Sequence, residues 1–233
     1  MRKVVRKVIK VKNDVDKTTI FVSGDIVDDA WRGWTWGDEV ETYPQDIRDL
    51  LKDAKKNIDV VISSGGGDLF AGMAISNMLQ RHEGHTKAII DGLAASAASI
   101  IAFGCDEIEM PSNAYLMIHK PMVGVMGNSE DLLKWAETLD ELQKGLVETY
   151  MTKAMEGKTA EEINNLIDKE TWLTGKSASE IFNIQVTNAS TVKNDFGTSV
   201  LNYKHTPKEL IKNTDDDEEE RKLKEIEIAM AMN

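Results

Sequence analysis

The sequence predicts an α/β fold in which parallel strands are joined by right-handed helical crossovers. An apolar strand over Ile58 to Ser63 runs into three glycines and a helix from Asp68. The same order returns where the strand Lys87 to Ile90 precedes Gly92 and a helix from Ala97. Tandem units of this kind imply neighbouring parallel strands. Because ligands bind at the carboxyl ends of such strands, this edge of the sheet is the expected place for a functional site.

Length and composition fit one globular domain with its own core. The chain has 233 residues and a formal net charge of -12, which argues against a nucleic-acid or anionic-membrane binder. In the basic start, residues 1–12, charges separate the apolar pairs, so we expect neither a secretory signal nor a membrane span. The single cysteine, Cys105, cannot form an intrachain disulfide. A cytoplasmic protein is expected, with Cys105 as a packing residue rather than a nucleophile.

The chain before the first glycine turn predicts a sheet edge, a loop and a helix. Val4 to Val22 alternates charged and branched apolar residues around a turn, which indicates two strands. The loop that follows contains Trp31, Trp34 and Trp36. These rings either anchor the loop to its own domain or bind a peptide or a neighbouring subunit. Tyr43 to Lys55 has the apolar periodicity of an amphipathic helix.

The glycine run Gly65–Gly67 can present backbone N–H groups to an anion or to an oxyanion. Its spacing does not supply the G-x-G-x-x-G of a dinucleotide site. Gly157-Lys158-Thr159 and Gly175-Lys176-Ser177 resemble the end of a P-loop, but the first glycine is replaced by Thr152 and Glu170. We therefore infer no nucleotide site and expect no cofactor.

Ser96 is embedded in alanines between the second strand and its helix. A serine becomes a useful nucleophile when it projects from a tight strand-to-helix turn whose backbone N–H groups face the developing charge. The G-x-S-x-G version of this turn has small residues two positions either side of the serine, and here those residues are Ala94 and Ala98. A closely packed helix start is the alternative interpretation.

The chain has four histidines, of which His119 is the best candidate for a general base. It alone ends an apolar strand in the same layer as Ser96, although a structural histidine is the alternative there. His82 and His85 lie at a predicted helix end and form only a weak metal pair without a third ligand, so no metal site is expected. His205 lies in a polar segment.

The second half of the chain predicts two further strands, a long helix and a tail. The strands are Glu107 to Met110 and Ala114 to Ile118. A helix capped by Asn128 or Ser129 runs to about Ala154, either as a core helix or as an arm that contacts another subunit. Its inward residues are expected to be Leu132, Leu133, Trp135, Leu139, Leu142, Leu146 and Tyr150.

The pattern loosens near the C-terminus. We predict a domain over residues 1–190, then a polar linker and an acidic, helix-prone tail over residues 191–233. The six acids Asp215 to Glu220 are typical of a solvated tail, and a partner-bound or cleavable tail is the alternative.

The motifs in this order resemble those of the ClpP family of self-compartmentalising serine peptidases. They are most similar to the ClpP-related head maturation proteases of tailed bacteriophages. The likeness spans most of residues 19–186 and rests on G-G-G-D-L-F-A-G-M-A-I, D-G-L-A-A-S-A-A-S, L-M-I-H-K-P and E-T-W-L-T. By this resemblance Ser96 is the nucleophile, His119 is the base, and Gly66 and Ala97 supply the oxyanion-hole N–H groups.

The resemblance is weakest at the third member of the triad. The family's aspartate precedes an aromatic-Leu-Ser/Thr stretch by two positions, and that position here is Glu170, with Asp168 as the fallback. A glutamate can orient a histidine in hydrolase triads. Gly65 also replaces the proline that is common in the family, which we expect to loosen the turn.

The resemblance implies a repeated ββα spiral shared with crotonases, with a protruding long helix through which subunits pair. It further implies stacked heptameric rings, protein substrates such as capsid or scaffold proteins, a possible separate ATPase and the host cytoplasm as location. Two other hypotheses stay open. One is crotonase-type acyl-thioester chemistry, and the other is a non-catalytic assembly or scaffold-binding protein.

Overall fold

The computed structural model describes residues 11–13, 16–32, 40–189, 196–197 and 199–211. The strands are β1 (Val11–Asn13), β2 (Lys17–Ile26), β3 (Glu41–Thr42), β4 (Asn57–Gly67), β5 (His85–Ala95), β6 (Glu107–Pro111), β7 (Tyr115–Ile118), β8 (Thr171–Thr174) and β9 (Gln185–Thr187). The helices are α1 (Pro44–Lys52), α2 (Leu69–Gln80), α3 (Ala97–Phe103), α4 (Ser129–Met151), α5 (Ala160–Asp168), α6 (Gly175–Ser179) and α7 (Lys208–Ile211). Short 3₁₀ helices cover Asp29–Trp31 and Ser199–Asn202.

The strands form one mixed sheet in the order β1-β2-β4-β5-β6-β9, and the pairs from β2 to β9 along this path are parallel. The predicted α/β class with parallel strands is therefore confirmed. The end of β5 separates from β6 and pairs with β7 instead, through Leu93, Ala94 and Ala95. β8 lies antiparallel to β7. These pairings bring the carboxyl ends of β4, β5 and β7 together.

β4 and β5 extend past the predicted ends at Ser63 and Ile90. The apolar pattern stops there, but the backbone pairing continues through small residues, with Ser64 opposite Ala94 after a register shift. Gly67 pairs with β2, and a Cβ at this position would lie 2.2 Å from a backbone oxygen of that strand. Small side chains let these strand ends approach one another closely, so Ser96 follows the end of β5 directly.

Helices α2 and α3 pack on one face of the sheet and cover its apolar core. Both begin at the positions expected from the sequence, and Asp68 caps α2 by accepting the N–H of Ala71. A Cβ on Gly72 of α2 would lie 2.9 Å from the Cβ of Ala97, so the two helices are in close contact at the start of α3. Cys105 is buried beside them and its pKa is raised to about 12 by burial, as expected for a packing residue.

The first half of α4 was predicted to pack inward, and this prediction is wrong. Leu132, Leu133 and Trp135 are 47%, 66% and 42% exposed, and the buried residues of α4 begin at Gln143. The helix extends beyond the core, so the sequence periodicity marks an apolar face that no other part of the described chain covers there. This geometry favours the arm over the core helix.

Part of the predicted polar linker packs against the domain. Phe196, Val200 and Leu210 are buried in a cluster with β5 and β7 residues, because apolar side chains recur among the polar ones. Trp31 is 62% exposed and so does not anchor its loop. The predicted strand residues before position 11, two of the loop tryptophans and the acidic tail lie outside the described residues. No helix in the described ranges is long and apolar enough to cross a membrane.

Candidate active site

Ser96 lies at a strained turn between β5 and α3. Its backbone has φ 53° and ψ −124°, a region that L-residues rarely adopt and that costs about 1–3 kcal/mol. The N–H of Ser96 donates to the Met117 carbonyl (2.9 Å), and the Ser96 carbonyl accepts from the Ser99 N–H (2.9 Å) and hydroxyl (2.6 Å). These bonds hold the turn, whose sharpness leaves the Ser96 hydroxyl partly exposed at the strand end.

His119 lies just past the end of β7, next to Ser96. Its Nε2 is 2.6 Å from the Ser96 Oγ, the contact that a general base needs in order to accept the proton of a serine hydroxyl. This bond follows from the sheet, since Ala95 and Met117 are partners in the parallel pair β5–β7. The structure thus joins the predicted nucleophile and the predicted base, and their catalytic roles stay predictions.

Burial lowers the pKa of His119 below its ordinary value of 6.5, and the charge of Glu170 opposes this only in part. The imidazole therefore stays neutral, and able to accept a proton, to lower pH than a free histidine. We expect the acidic limb of the kcat/KM profile against pH to have its midpoint below pH 6.5. A midpoint clearly above 6.5 would contradict this expectation.

The lowered pKa of His119 also affects stability. Since the unfolded chain protonates His119 more readily than the folded chain does, the free energy of unfolding decreases as the pH falls through 6.5.

The predicted oxyanion donors, Gly66 and Ala97, lie on either side of Ser96. A Cβ on Gly66, which has φ 102°, would lie 2.7 Å from the Ser96 Cβ and 3.1 Å from the Ala97 nitrogen. Ala97 is the first residue of α3, so its N–H has no acceptor within the helix. The N–H of Gly66, however, donates to the Ser64 Oγ at 3.1 Å. One predicted donor is therefore available to an oxyanion and the other is engaged.

Glu170 is near His119 but does not hydrogen-bond to it. Its carboxylate accepts the backbone N–H groups of Lys204 (3.0 Å) and His205 (2.6 Å) and, more weakly, the Trp172 Nε1–H (3.5 Å). Within the described chain none of its hydrogen bonds reaches His119, and the two residues interact through charge. Burial raises the pKa of Glu170, but the two backbone hydrogen bonds and the Trp172 bond outweigh it and leave the pKa lowered. The carboxylate is therefore ionised at neutral pH.

The fallback acid, Asp168, is engaged elsewhere. It pairs with Lys120 (3.0 Å) and accepts from Gln143 (2.8 Å) and Asn164 (3.3 Å). These partners connect the end of α5 to α4, and the hydrogen bond to Lys120 is the main cause of a lowered Asp168 pKa. Glu170 is thus the better placed of the two carboxylates, and Asp168 braces the helices.

Sequence reasoning missed Tyr203 and misread Gly65. The Tyr203 ring packs edge-on against His119 at 5.0 Å between centroids, and its hydroxyl donates to the Gly65 carbonyl at 2.5 Å. The turn at Gly65 is held by contacts and is not loosened. The Gly65 N–H donates to the Phe196 carbonyl (2.6 Å), and a Cβ at this position would lie 2.6 Å from the Ser199 Oγ. The apolar spacing of Phe196, Val200 and Tyr203 was the available signal.

The comparisons with known proteins identify the family of this chain. The profile described as Clp protease matches residues 46–182, more than half of the chain. Over 134 residues the chain is 32% identical to the ATP-dependent Clp protease proteolytic subunit 1 of Streptomyces coelicolor, covering 56% of this chain and 60% of that protein. It is 31% identical over 134 residues to the subunit of the same name from Protochlamydia amoebophila, covering 56% and 64%. The chain thus spans less than two thirds of these relatives. Since the family profile covers Ser96, His119 and Glu170 in one continuous match, the chain belongs to the Clp protease family.

Proposed function

We propose that the protein is a serine endopeptidase that acts through an acyl-enzyme intermediate. The observation that carries this proposal is the 2.6 Å contact between Ser96 Oγ and His119 Nε2 at a strained strand-to-helix turn. Membership of the Clp protease family supports the same chemistry. A crotonase-type site shares the backbone oxyanion donors but has no use for a serine-histidine pair.

In the first half of the reaction, Ser96 Oγ attacks the carbonyl carbon of the scissile peptide while His119 Nε2 takes the hydroxyl proton. The N–H of Ala97, joined by that of Gly66 when it is free, stabilises the oxyanion. The C–N bond then breaks, and His119 returns its proton to the leaving amine. In the second half, water attacks the acyl carbon while His119 takes a proton from it. The bond from the acyl carbon to Ser96 Oγ then breaks, His119 returns the proton to Ser96 Oγ, and the acid product leaves.

Copies of this chain are proposed to associate through the arm. The first half of α4 and the loop before it expose apolar side chains, among them Met126 at 102% and Leu133 at 66%, and a contiguous apolar surface of this kind favours a partner. The resemblance to the ClpP family makes stacked heptameric rings the expected assembly. A separate ATPase as partner is a further part of this proposal.

Capsid or scaffold proteins of a tailed bacteriophage are the proposed substrates. Support comes from the stretches G-G-G-D-L-F-A-G-M-A-I and E-T-W-L-T, which resemble phage head maturation proteases. The purified protein should cleave fluorogenic peptides and the capsid or scaffold proteins of the same genome. Cleavage of peptides alone would contradict the phage role, whereas tight binding of a coenzyme A ester without peptide cleavage would contradict the peptidase.

Glu170 is proposed to orient His119, with Asp168 as the matched comparison. We expect Glu170→Gln to lower kcat by roughly 10² or more, since losing the triad carboxylate costs about 10⁴ in other serine peptidases. Asp168→Asn should change kcat less than about threefold, because its carboxylate braces α5 on α4. Steady-state kinetics of both variants test which carboxylate orients His119. A larger fall in kcat for Asp168→Asn than for Glu170→Gln would assign this role to Asp168 instead.

A further inference from the structure

The C-terminal strap, defined as residues 196–197 and 199–211, lies over the candidate active site. Phe196, Val200 and Leu210 are buried against Leu93 of β5 and Met117 of β7. The strap is anchored at Asp25, whose carboxylate accepts from the Ser199 hydroxyl at 2.7 Å and N–H at 3.2 Å. It is therefore a packed part of the fold, in contact with the strand ends that carry the catalytic residues.

The strap fixes the orientation of the peptide unit between Gly65 and Gly66. In a trans peptide the C=O and the N–H point in opposite directions. Tyr203 donates its hydroxyl to the Gly65 carbonyl, while the Gly66 N–H donates to the Ser64 Oγ, which in turn donates to the Gly24 carbonyl at 2.5 Å. The oxygen thus faces the strap side of the turn, and the N–H that would bind an oxyanion points to Ser64.

Tyr203 contacts the proposed base as well as the Gly65 carbonyl. Its ring contacts His119, and burial raises the Tyr203 pKa to about 12, while hydrogen bonding with Ser96 acts in the opposite direction. The residue that holds the Gly65 carbonyl therefore also borders the proposed base, next to the position where an oxyanion needs an N–H donor.

The same segment also holds the third member of the proposed triad. The next two residues of the strap, Lys204 and His205, donate their backbone N–H groups to the Glu170 carboxylate. Each such bond to a charged acceptor is stronger than a neutral one, so the pair keeps the carboxylate on the strap and off His119. Two requirements of the chemistry are thus unmet: the Gly66 N–H does not face the oxyanion position, and Glu170 does not bind His119. Three consecutive residues of the strap, Tyr203 to His205, account for both.

We propose that the C-terminal strap is an autoinhibitory element of this protein, an inference that rests on the proposed peptidase function. When the strap leaves, the Gly65–Gly66 peptide is free to turn its N–H toward the oxyanion position, and glycine on both sides makes that rotation easy. The Glu170 carboxylate loses its two N–H donors at the same time and can bind His119. Tyr203 acts as a positioning residue that selects the inactive orientation.

The test uses Tyr203→Phe in the full-length protein, which removes the hydroxyl but keeps the ring against His119 and Trp172. We expect kcat/KM for a fluorogenic peptide and the rate of Ser96 acylation by a fluorophosphonate to rise about three- to tenfold, the effect of losing one hydrogen bond. Ser199→Ala, which weakens the anchor at Asp25, should also raise both rates. Tyr115→Phe is the matched control, because Tyr115 borders the same apolar cluster and should leave both rates unchanged.

Hydrogen exchange of the strap amides, measured on the same variants, should increase in Tyr203→Phe and Ser199→Ala. If Ser96 reacts in the wild type but both variants are equally or less reactive, the strap is a support for the site and the proposal is overturned while the peptidase function stands. If Ser96 reacts in none of these proteins, the proposed function fails and the inhibitory role fails with it.

Discussion

Replacement of Ser96 by alanine is expected to reduce peptide hydrolysis to the background rate, a loss of about 10⁵–10⁶ in kcat if the wild type turns over like other serine peptidases. The physical reason is that Ser96 Oγ, 2.6 Å from His119 Nε2, is the atom that forms the acyl bond. The nearby Ser99 cannot take over this role, because its hydroxyl donates to the Ser96 carbonyl and contacts the Tyr150 hydroxyl. Initial-rate kinetics on a fluorogenic peptide, with intact mass to exclude carried-over wild type, measure the loss.

Ser179→Ala is the matched control for that experiment. Its hydroxyl donates to the Lys176 carbonyl at 2.8 Å, within α6 and away from the Ser96–His119 pair, so peptide hydrolysis should be unchanged. If Ser96→Ala keeps more than a few per cent of the wild-type rate, another residue is the nucleophile.

Replacement of Gly66 by alanine should also lower activity strongly, although less than the loss of Ser96. The residue has φ 102°, and an added Cβ would lie 2.7 Å from both the Ala95 oxygen and the Ser96 Cβ, so the turn must shift to accept it. Alanine keeps the backbone N–H, but the shifted turn carries it away from the oxyanion position, so we expect kcat to fall by about 10²–10³ and the melting temperature to fall as well. Activity assays and thermal unfolding measure the two effects separately.

Gly145→Ala is the control for Gly66→Ala, because it adds the same methyl group at a glycine where the described residues leave space for it. A Cβ there meets nothing within 4 Å, and the residue lies within α4, so the change should stabilise the helix by about 0.5–1 kcal/mol without altering kcat. If Gly66→Ala keeps full activity and its melting temperature falls, displacing this turn does not disturb catalysis, and the oxyanion role given to Gly66 is contradicted.

Much of the fold could be predicted because local patterns decided it. Strand, glycine and helix recurred twice, and the helices α2 and α3 begin where these two turns predicted them. Ser96 and His119 could be paired from sequence because each ends a strand of the same parallel layer, and the sheet register then brings them together.

The remaining features depend on tertiary contacts that a local pattern does not reveal. An apolar helical face, as on α4, has the same periodicity whether it meets a core or another chain. The strap was mistaken for a linker because its buried residues are separated by polar ones that bond back to the domain, such as Ser199 to Asp25. Sequence comparison with the family's proline predicted a looser turn at Gly65. The structure shows instead that the strap packs so close to Gly65 that a side chain there would clash with Ser199.

The third member of the proposed triad also depends on tertiary contacts that the sequence does not reveal. Position relative to the aromatic-Leu-Thr stretch favoured Glu170 over Asp168, and the structure adds that Asp168 is paired with Lys120. It also adds what spacing could not show, namely that the carboxylate of Glu170 binds backbone N–H groups of the strap. The proposed triad is therefore complete in its residues and incomplete in its hydrogen bonds.

Mass spectrometry of the full-length protein after reaction with a fluorophosphonate tests the central claim most directly. The label should be found on Ser96 alone, and it should be absent from Ser96→Ala and slow to form in the wild type relative to Tyr203→Phe. A label on another residue, or none on Ser96 in any of these proteins, would contradict the assignment of this site as a serine peptidase.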